Sequence, residues 1–148
     1  MPGESKGGFL ISQIKQVQGR VFEKLLKEAG IEEFNGAQGR ILYVLWQEDG
    51  LPIVELSKRT GLAKTTLTGM LDRMEEQGHI SRNYGKADRR RVIITLSDKA
   101  KALRGKYESV SAEMAAVFYK GFSAGEIAGF ESRLERILKN LMESEETL

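Results

Sequence analysis

"ELSKRTGLAKTTLTGMLDRMEEQGHISRNYGKADRRRVIITLS", residues 55–97, is the stretch on which the fold turns. A short helix is expected over roughly 54–60, with Gly61 as its C-terminal stop and Leu62 in the turn. A second helix is expected from about Ala63 to Gln77, stopped by Gly78. "ISRNY" (80–84) and "RVIITL" (91–96) read as two short strands around a Gly85–Arg90 loop. Helix, glycine-containing turn, helix and hairpin together make a winged helix-turn-helix layout.

The second helix is two-faced. Leu67, Met70, Leu71 and Met74 fall on one side of a helical wheel, the side expected to be buried. Thr65, Thr68, Gly69, Asp72 and Arg73 fall largely opposite, with Thr66 at the flank and Lys64 in the first turn. A merely solvated helix is better served by Glu and Lys than by threonines and a glycine. Short threonines permit close approach to a DNA major groove, bond bases or phosphates, and offer methyls to thymine. Lys64, Thr65, Thr66, Thr68, Gly69 and Arg73 are therefore the candidate recognition residues.

The hairpin gathers the cations. Residues 58–91 hold nine Lys and Arg against four Asp and Glu, whereas 113–148 hold four against seven. A basic middle and an acidic C-terminal part favour a polyanionic partner for the middle, although the net charge of the chain is only +2. Lys86, Asp88, Arg89, Arg90 and Arg91 are the candidate wing contacts. Arginine suits a minor groove through its planar, multi-donor guanidinium, and Asp88, two residues before Arg90, can hold that guanidinium's direction.

Outward from this core lie helical stripes. Leu10, Ile14, Val17, Val21, Leu25 and Ala29 recur at three- and four-residue spacing and predict a long helix ending near Gly30. Asn35 and Gln38 form a variant capping box ahead of a helix carrying Ile41, Leu42, Val44, Leu45 and Trp46, which "EDGLP" breaks. Ser97 caps a further predicted helix with the stripe Ala100, Leu103, Tyr107, Val110, Met114 and Val117, ending at Gly121. "SAGE" (123–126) has the Ser-x-x-Glu form and opens a last helix with Ile127, Phe130, Leu134, Ile137, Leu138 and Leu141; its "ESEETL" end is expected to fray. The fold class is thus mainly α with a small β-hairpin: a winged helix-turn-helix core with terminal dimerisation helices. A flexible tail covers 1–8, the helical dimerisation region 9–34 and 98–148, and the DNA-binding region 35–97.

The end helices carry more apolar surface than packing on one core uses, which points to a homodimer reading a palindrome with both recognition helices. Leu10, Ile14, Val17, Phe130, Leu134, Ile137 and Leu141 are its candidate interface residues.

The chain has 148 residues, no cysteine and one histidine, His79. Disulfides, thiolate sensing and Cys-ligated zinc are excluded, as is a multi-histidine metal site within one chain. His79 is expected at the surface or at a hinge. No stretch approaches a membrane span and "MPGESKGG" has no signal-peptide core, so a soluble cytoplasmic protein without membrane partners is expected. No GxSxG, HExxH or Gly-Lys-Ser/Thr phosphate loop is present, which argues against an enzyme. A winged helix that meets an acidic protein partner is the alternative reading, but "KTTLTG" lacks the Trp, Tyr or large apolar anchors of a protein hot spot.

Nearly the whole chain resembles the MarR family of winged-helix transcriptional regulators. The most specific part is Asp-x-Arg followed by an apolar strand and Leu-Ser, here "DRRRVIITLS", together with the upstream recognition segment. The resemblance implies duplex DNA as partner, a homodimer joined through the terminal helices, and a repressor released by a small aromatic or anionic effector. It places Thr65, Thr66, Thr68 and Arg73 at the recognition helix, Arg90 in the minor groove with Asp88 as its positioner, and Arg89 and Arg91 on phosphates. It also implies an effector cleft with Phe22, Leu26, Tyr43 and Trp46 as lining candidates, residues that by themselves read first as core. No cofactor or metal is implied. Ala63 departs from the family's frequent polar cap, and Ala100 from its frequent glycine after Leu-Thr.

Overall fold

Caps and turns written into the sequence set where the helices begin and end. The computed structural model describes residues 3–85 and 91–148, which group into two compact units, Met1–Met114 and Ala115–Leu148. In the first unit α1 (Gly7–Glu28) leads to α2 (Gly36–Gln47). Both arms of the expected capping box are made: Asn35 Oδ1 accepts from the Gln38 N–H at 2.8 Å, and Gln38 Oε1 accepts from the Asn35 N–H at 3.2 Å. Next come β1 (Leu51–Pro52), α3 (Ile53–Thr60) and α4 (Lys64–Glu76). Gly61, at φ 75°, makes the left-handed turn that lets α4 start so soon after α3.

β2 (Ile80–Tyr84) and β3 (Val92–Leu96) pair antiparallel, with Ile80 opposite Leu96 and Arg82 opposite Ile94. The sheet has three strands in the order β1-β3-β2, one more than the hairpin expected from sequence. The additional strand is two residues long and exists through its pairing with β3, Leu51 opposite Ile94 and Pro52 opposite Ile93. Such a strand leaves no periodicity to read. Asp49 braces it: its Oδ1 accepts from the Gly50 N–H at 2.8 Å and from the Leu96 N–H at 2.9 Å.

The core is continuous from α2 through the helix-turn-helix to the sheet, with Ile41, Leu42, Leu56, Leu67, Leu71, Met74 and Ile94 all fully buried. Each such side chain stabilises the fold by about 1.5–3 kcal/mol relative to leaving it exposed. Ser97 caps α5 (Asp98–Ala102) by accepting from the Ala100 N–H at 3.1 Å. The single helix expected here is divided at Leu103, and α6 (Arg104–Phe118) follows. At the division the Ala100 carbonyl accepts from the Leu103 N–H at 3.1 Å and from the Trp46 indole at 2.9 Å, so a side chain from α2 takes up a helix acceptor.

His79 corrects the expectation of a surface position. It is 1% exposed, and its Nε2 donates to the Glu33 carbonyl at 2.6 Å, tying the start of β2 to the α1–α2 connection. Gly78, at φ 80°, makes the left-handed turn directly before His79.

In the second unit α7 (Ala124–Thr147) opens with a complete capping box: Ser123 Oγ accepts from the Glu126 N–H at 3.1 Å, and Glu126 Oε1 accepts from the Ser123 N–H at 2.9 Å. The helix runs to Thr147, past the point where fraying was expected, and the Thr147 hydroxyl donates to the Ser144 carbonyl at 3.0 Å. Phe118, Tyr119, Phe122 and Phe130 form an aromatic cluster with ring centroids 4.9–6.5 Å apart. No residue of α7 is buried.

Candidate nucleic-acid interface

Helix α4 is held from one side only. Leu67, Leu71 and Met74 are 0% exposed, whereas Lys64, Thr65, Thr66, Thr68, Gly69, Asp72 and Arg73 are all exposed. The Thr68 hydroxyl donates to the Lys64 carbonyl at 2.8 Å. A Cβ built on Gly69 meets nothing within 4 Å. The fold therefore has room for alanine there, and a mid-helix glycine is roughly 0.5–1 kcal/mol worse than alanine. Its missing side chain gives space only to something outside the chain. At the helix start, Ala63 is the N-cap and makes no side-chain cap bond, so the first N–H groups of α4 are left free of that partner.

The wing begins where β2 ends. The Gly85 N–H donates to the Arg91 carbonyl at 2.9 Å and closes the base of the loop. Arg91 is exposed there. Lys86, Asp88, Arg89 and Arg90 lie outside the described residues.

Arg82, which sequence reasoning counted only among the basic residues of the middle segment, joins wing to helix. Its guanidinium donates to Asp72 Oδ1 at 2.7 Å, Glu75 Oε1 at 3.0 Å and the Thr68 carbonyl at 3.2 Å. A signal existed: strand alternation puts Arg82 on the same face as Ile80, the inward one, with two α4 carboxylates three residues apart to receive it. Farther along, Lys99 Nζ donates to the Gln77 carbonyl at 3.0 Å, placing a cation at the C-terminal end of α4.

A cavity of about 930 Å³ opens between α1, α2 and α6, its lining residues all within the first unit. Phe22 and Tyr43 line it; Leu26, at 2% exposure, and Trp46, at 9%, face the core instead. Lys15, Arg20, Lys24 and Arg40 against the one acidic member, Glu23, give the lining a positive balance, and Glu23 accepts from the Gly36 N–H at 2.6 Å. Tyr107 was legible only as one position in a stripe, yet it is the hub, with ring centroids 5.1 Å from Trp46, 5.9 Å from Tyr43 and 6.0 Å from Phe22 and Phe34. Burial pushes its phenol above the ordinary tyrosine range, with Tyr43 adding to the effect. A mixed aromatic and cationic lining of this size suits a small aromatic anion.

The dimer candidates divide by exposure. Leu10, Ile14, Val17, Ile137 and Leu141 are 41–63% exposed, whereas Phe130 and Leu134 are half-buried within the second unit. No helix among the described residues is long and apolar enough to cross a membrane.

Comparison with known proteins gives a consistent picture. The family model described as "MarR family" matches residues 34–92. The HTH-type transcriptional regulator TtmR of Methylorubrum extorquens (strain PA1) is 39% identical over 90 residues, covering 61% of this chain and 45% of that protein. The HTH-type transcriptional repressor YetL of Bacillus subtilis (strain 168) is 31% identical over 108 residues, covering 68% of this chain and 63% of that protein. The chain thus spans less than two thirds of either relative. Among solved structures, a mutant MarR of E. coli complexed with operator DNA superposes with a TM-score of 0.79 at 26% identity, over 88% of this chain and 92% of that one. With the winged helix-turn-helix, its three-stranded sheet and these matches together, residues 34–92 carry a MarR-family domain, and the chain as a whole is similar in fold to MarR proteins.

Proposed function

We propose that this protein is a homodimeric, sequence-specific DNA-binding transcriptional regulator that represses a palindromic operator and is released by a small aromatic anion. The observation that carries the reading is the contrast across α4: a fully buried apolar side backs an exposed face of threonines with open space over Gly69. Helix α4 enters the major groove through Lys64, Thr65, Thr66, Thr68, Gly69 and Arg73, with the arginine-rich wing in the neighbouring minor groove. The homodimer is supported by the exposed apolar residues of α1 and α7, which water leaves uncovered in a single copy. The 9–34 and 98–148 segments supply its interface, and 35–97 the DNA contacts. The effector site is the 930 Å³ cavity, where Arg40 and its lysine neighbours meet a carboxylate and Tyr43, Tyr107 and Phe22 meet a ring.

Fluorescence anisotropy tests the reading, with a mixed duplex pool, then the tightest selected duplex, across a salt series. The expected result is preferred-sequence binding that weakens steeply with salt, at a logarithmic slope of roughly −0.9 per phosphate contacted. Arg90→Ala should weaken it sharply, and benzoate should release the bound duplex from wild type. A folded sample with no salt-sensitive duplex binding would end this reading in favour of an acidic protein partner.

A further inference from the structure

Among the described cations of the basic segment, Arg82 alone is not exposed. It lies on β2 opposite Ile94, which is fully buried, so its stem leaves the sheet on the inward face. Its side chain is 19% exposed, against 62% for Asp72 and 45% for Glu75. Its three acceptors, the Thr68 carbonyl, Asp72 and Glu75, follow one stripe up α4. Glu75 is held a second time, by the Arg82 backbone N–H at 3.4 Å. A planar fork on three fixed acceptors defines an angle, which a lysine's single ammonium does not.

We propose that Arg82 is a positioning residue for DNA recognition: bridging Asp72 and Glu75, it fixes the wing strand against the recognition helix and so sets sequence discrimination without touching the duplex. The proposal rests on the DNA-binding reading above. Arg82 stands three residues before Gly85, where the wing loop starts, and it grips α4 at Thr68, a recognition-face residue. One side chain therefore sets the angle between the two parts that enter adjacent grooves. Its donors are already committed to two carboxylates, and a phosphate would have to compete with both. Exposed ion pairs contribute little to stability, so losing the bridge should alter geometry more than folding.

The test compares two variants of opposite charge. Arg82→Met removes a cation and keeps an apolar stem; Asp72→Asn with Glu75→Gln removes two anions and keeps Arg82. For each full-length protein, anisotropy gives the affinity ratio between the selected duplex and the mixed pool, and circular dichroism gives the melt. The expected result is a fall of at least about fivefold in that ratio for both variants, with an unchanged salt slope for Arg82→Met. If the ratio holds in both, or moves in opposite directions with the charge, the proposal is overturned. A salt slope smaller by roughly 0.9 in Arg82→Met would make Arg82 a phosphate contact and overturn it too. Should Arg82→Met fail to fold, the Asp72 and Glu75 variant decides alone. A wild type that does not discriminate between duplexes overturns the DNA reading itself; a wild type that discriminates while both variants do so equally well overturns only the role of Arg82.

Discussion

Helices α4 and α7 both leave one face in water, but the faces are made of different things. The open side of α4 carries Thr65, Thr66, Thr68 and Gly69, short and polar. The open side of α7 carries Ile137, Leu138, Leu141 and Met142, 42–63% exposed. Covering a leucine is worth about 1.5–3 kcal/mol through water released from apolar surface. Covering a threonine gains little unless the cover supplies hydrogen bonds of its own. The α7 face is thus incomplete in the way a protein interface is, and the α4 face in the way a polar, groove-fitting surface is.

Charging the α7 face should break this comparison most severely. Leu138→Glu with Leu141→Glu would place four carboxylates in the proposed two-fold interface, since each substitution occurs in both copies. Light scattering should then report a mass near 16.6 kDa instead of twice that. Operator affinity should fall roughly hundredfold with the loss of one half-site. An unchanged dimer would move the interface elsewhere.

The buried side of α4 comes next. Leu71→Ala should destabilise the fold by about 2–5 kcal/mol in urea unfolding, through lost transfer energy and a residual cavity. A loss under about 1 kcal/mol would mean that α4 is not backed by the core as its burial indicates.

Gly69→Ala sharpens the comparison because its two effects have opposite signs. Unfolding stability should rise by about 0.5–1 kcal/mol, since the helix has room for the methyl, while operator affinity falls severalfold. A variant both more stable and equally tight would show that nothing approaches Gly69 closely. The smallest effect is expected from Ala63→Ser, which adds the missing N-cap and should raise stability by about 0.5 kcal/mol in the same unfolding assay.

Much of the fold was legible because its signals are local. Asn35 with Gln38, and Ser123 with Glu126, each announce a helix start through residues three apart, and both boxes form. The two faces of α4 follow from helical periodicity alone. What stayed hidden depends on partners far along the chain. β1 is defined by β3, the break at Leu103 accompanies an indole 57 positions earlier donating to the Ala100 carbonyl, and the work of Arg82 is set by two carboxylates on another element. Tyr107 looked like any stripe residue until four other rings converged on it. Composition could count these residues but could not say what each would meet.

The buried imidazole has a practical consequence. A carbonyl oxygen can only accept, so the 2.6 Å contact to Glu33 requires Nε2 to carry the hydrogen, while the buried Nδ1 has no hydrogen-bond partner among the described residues. His79 is the chain's single histidine. Its ring resonances therefore need no assignment against others, and they sit at the seam joining the α1–α2 connection to the start of β2. The protein carries a built-in magnetic resonance reporter there, one whose tautomer signature would register any ligand or duplex that pulls the seam apart.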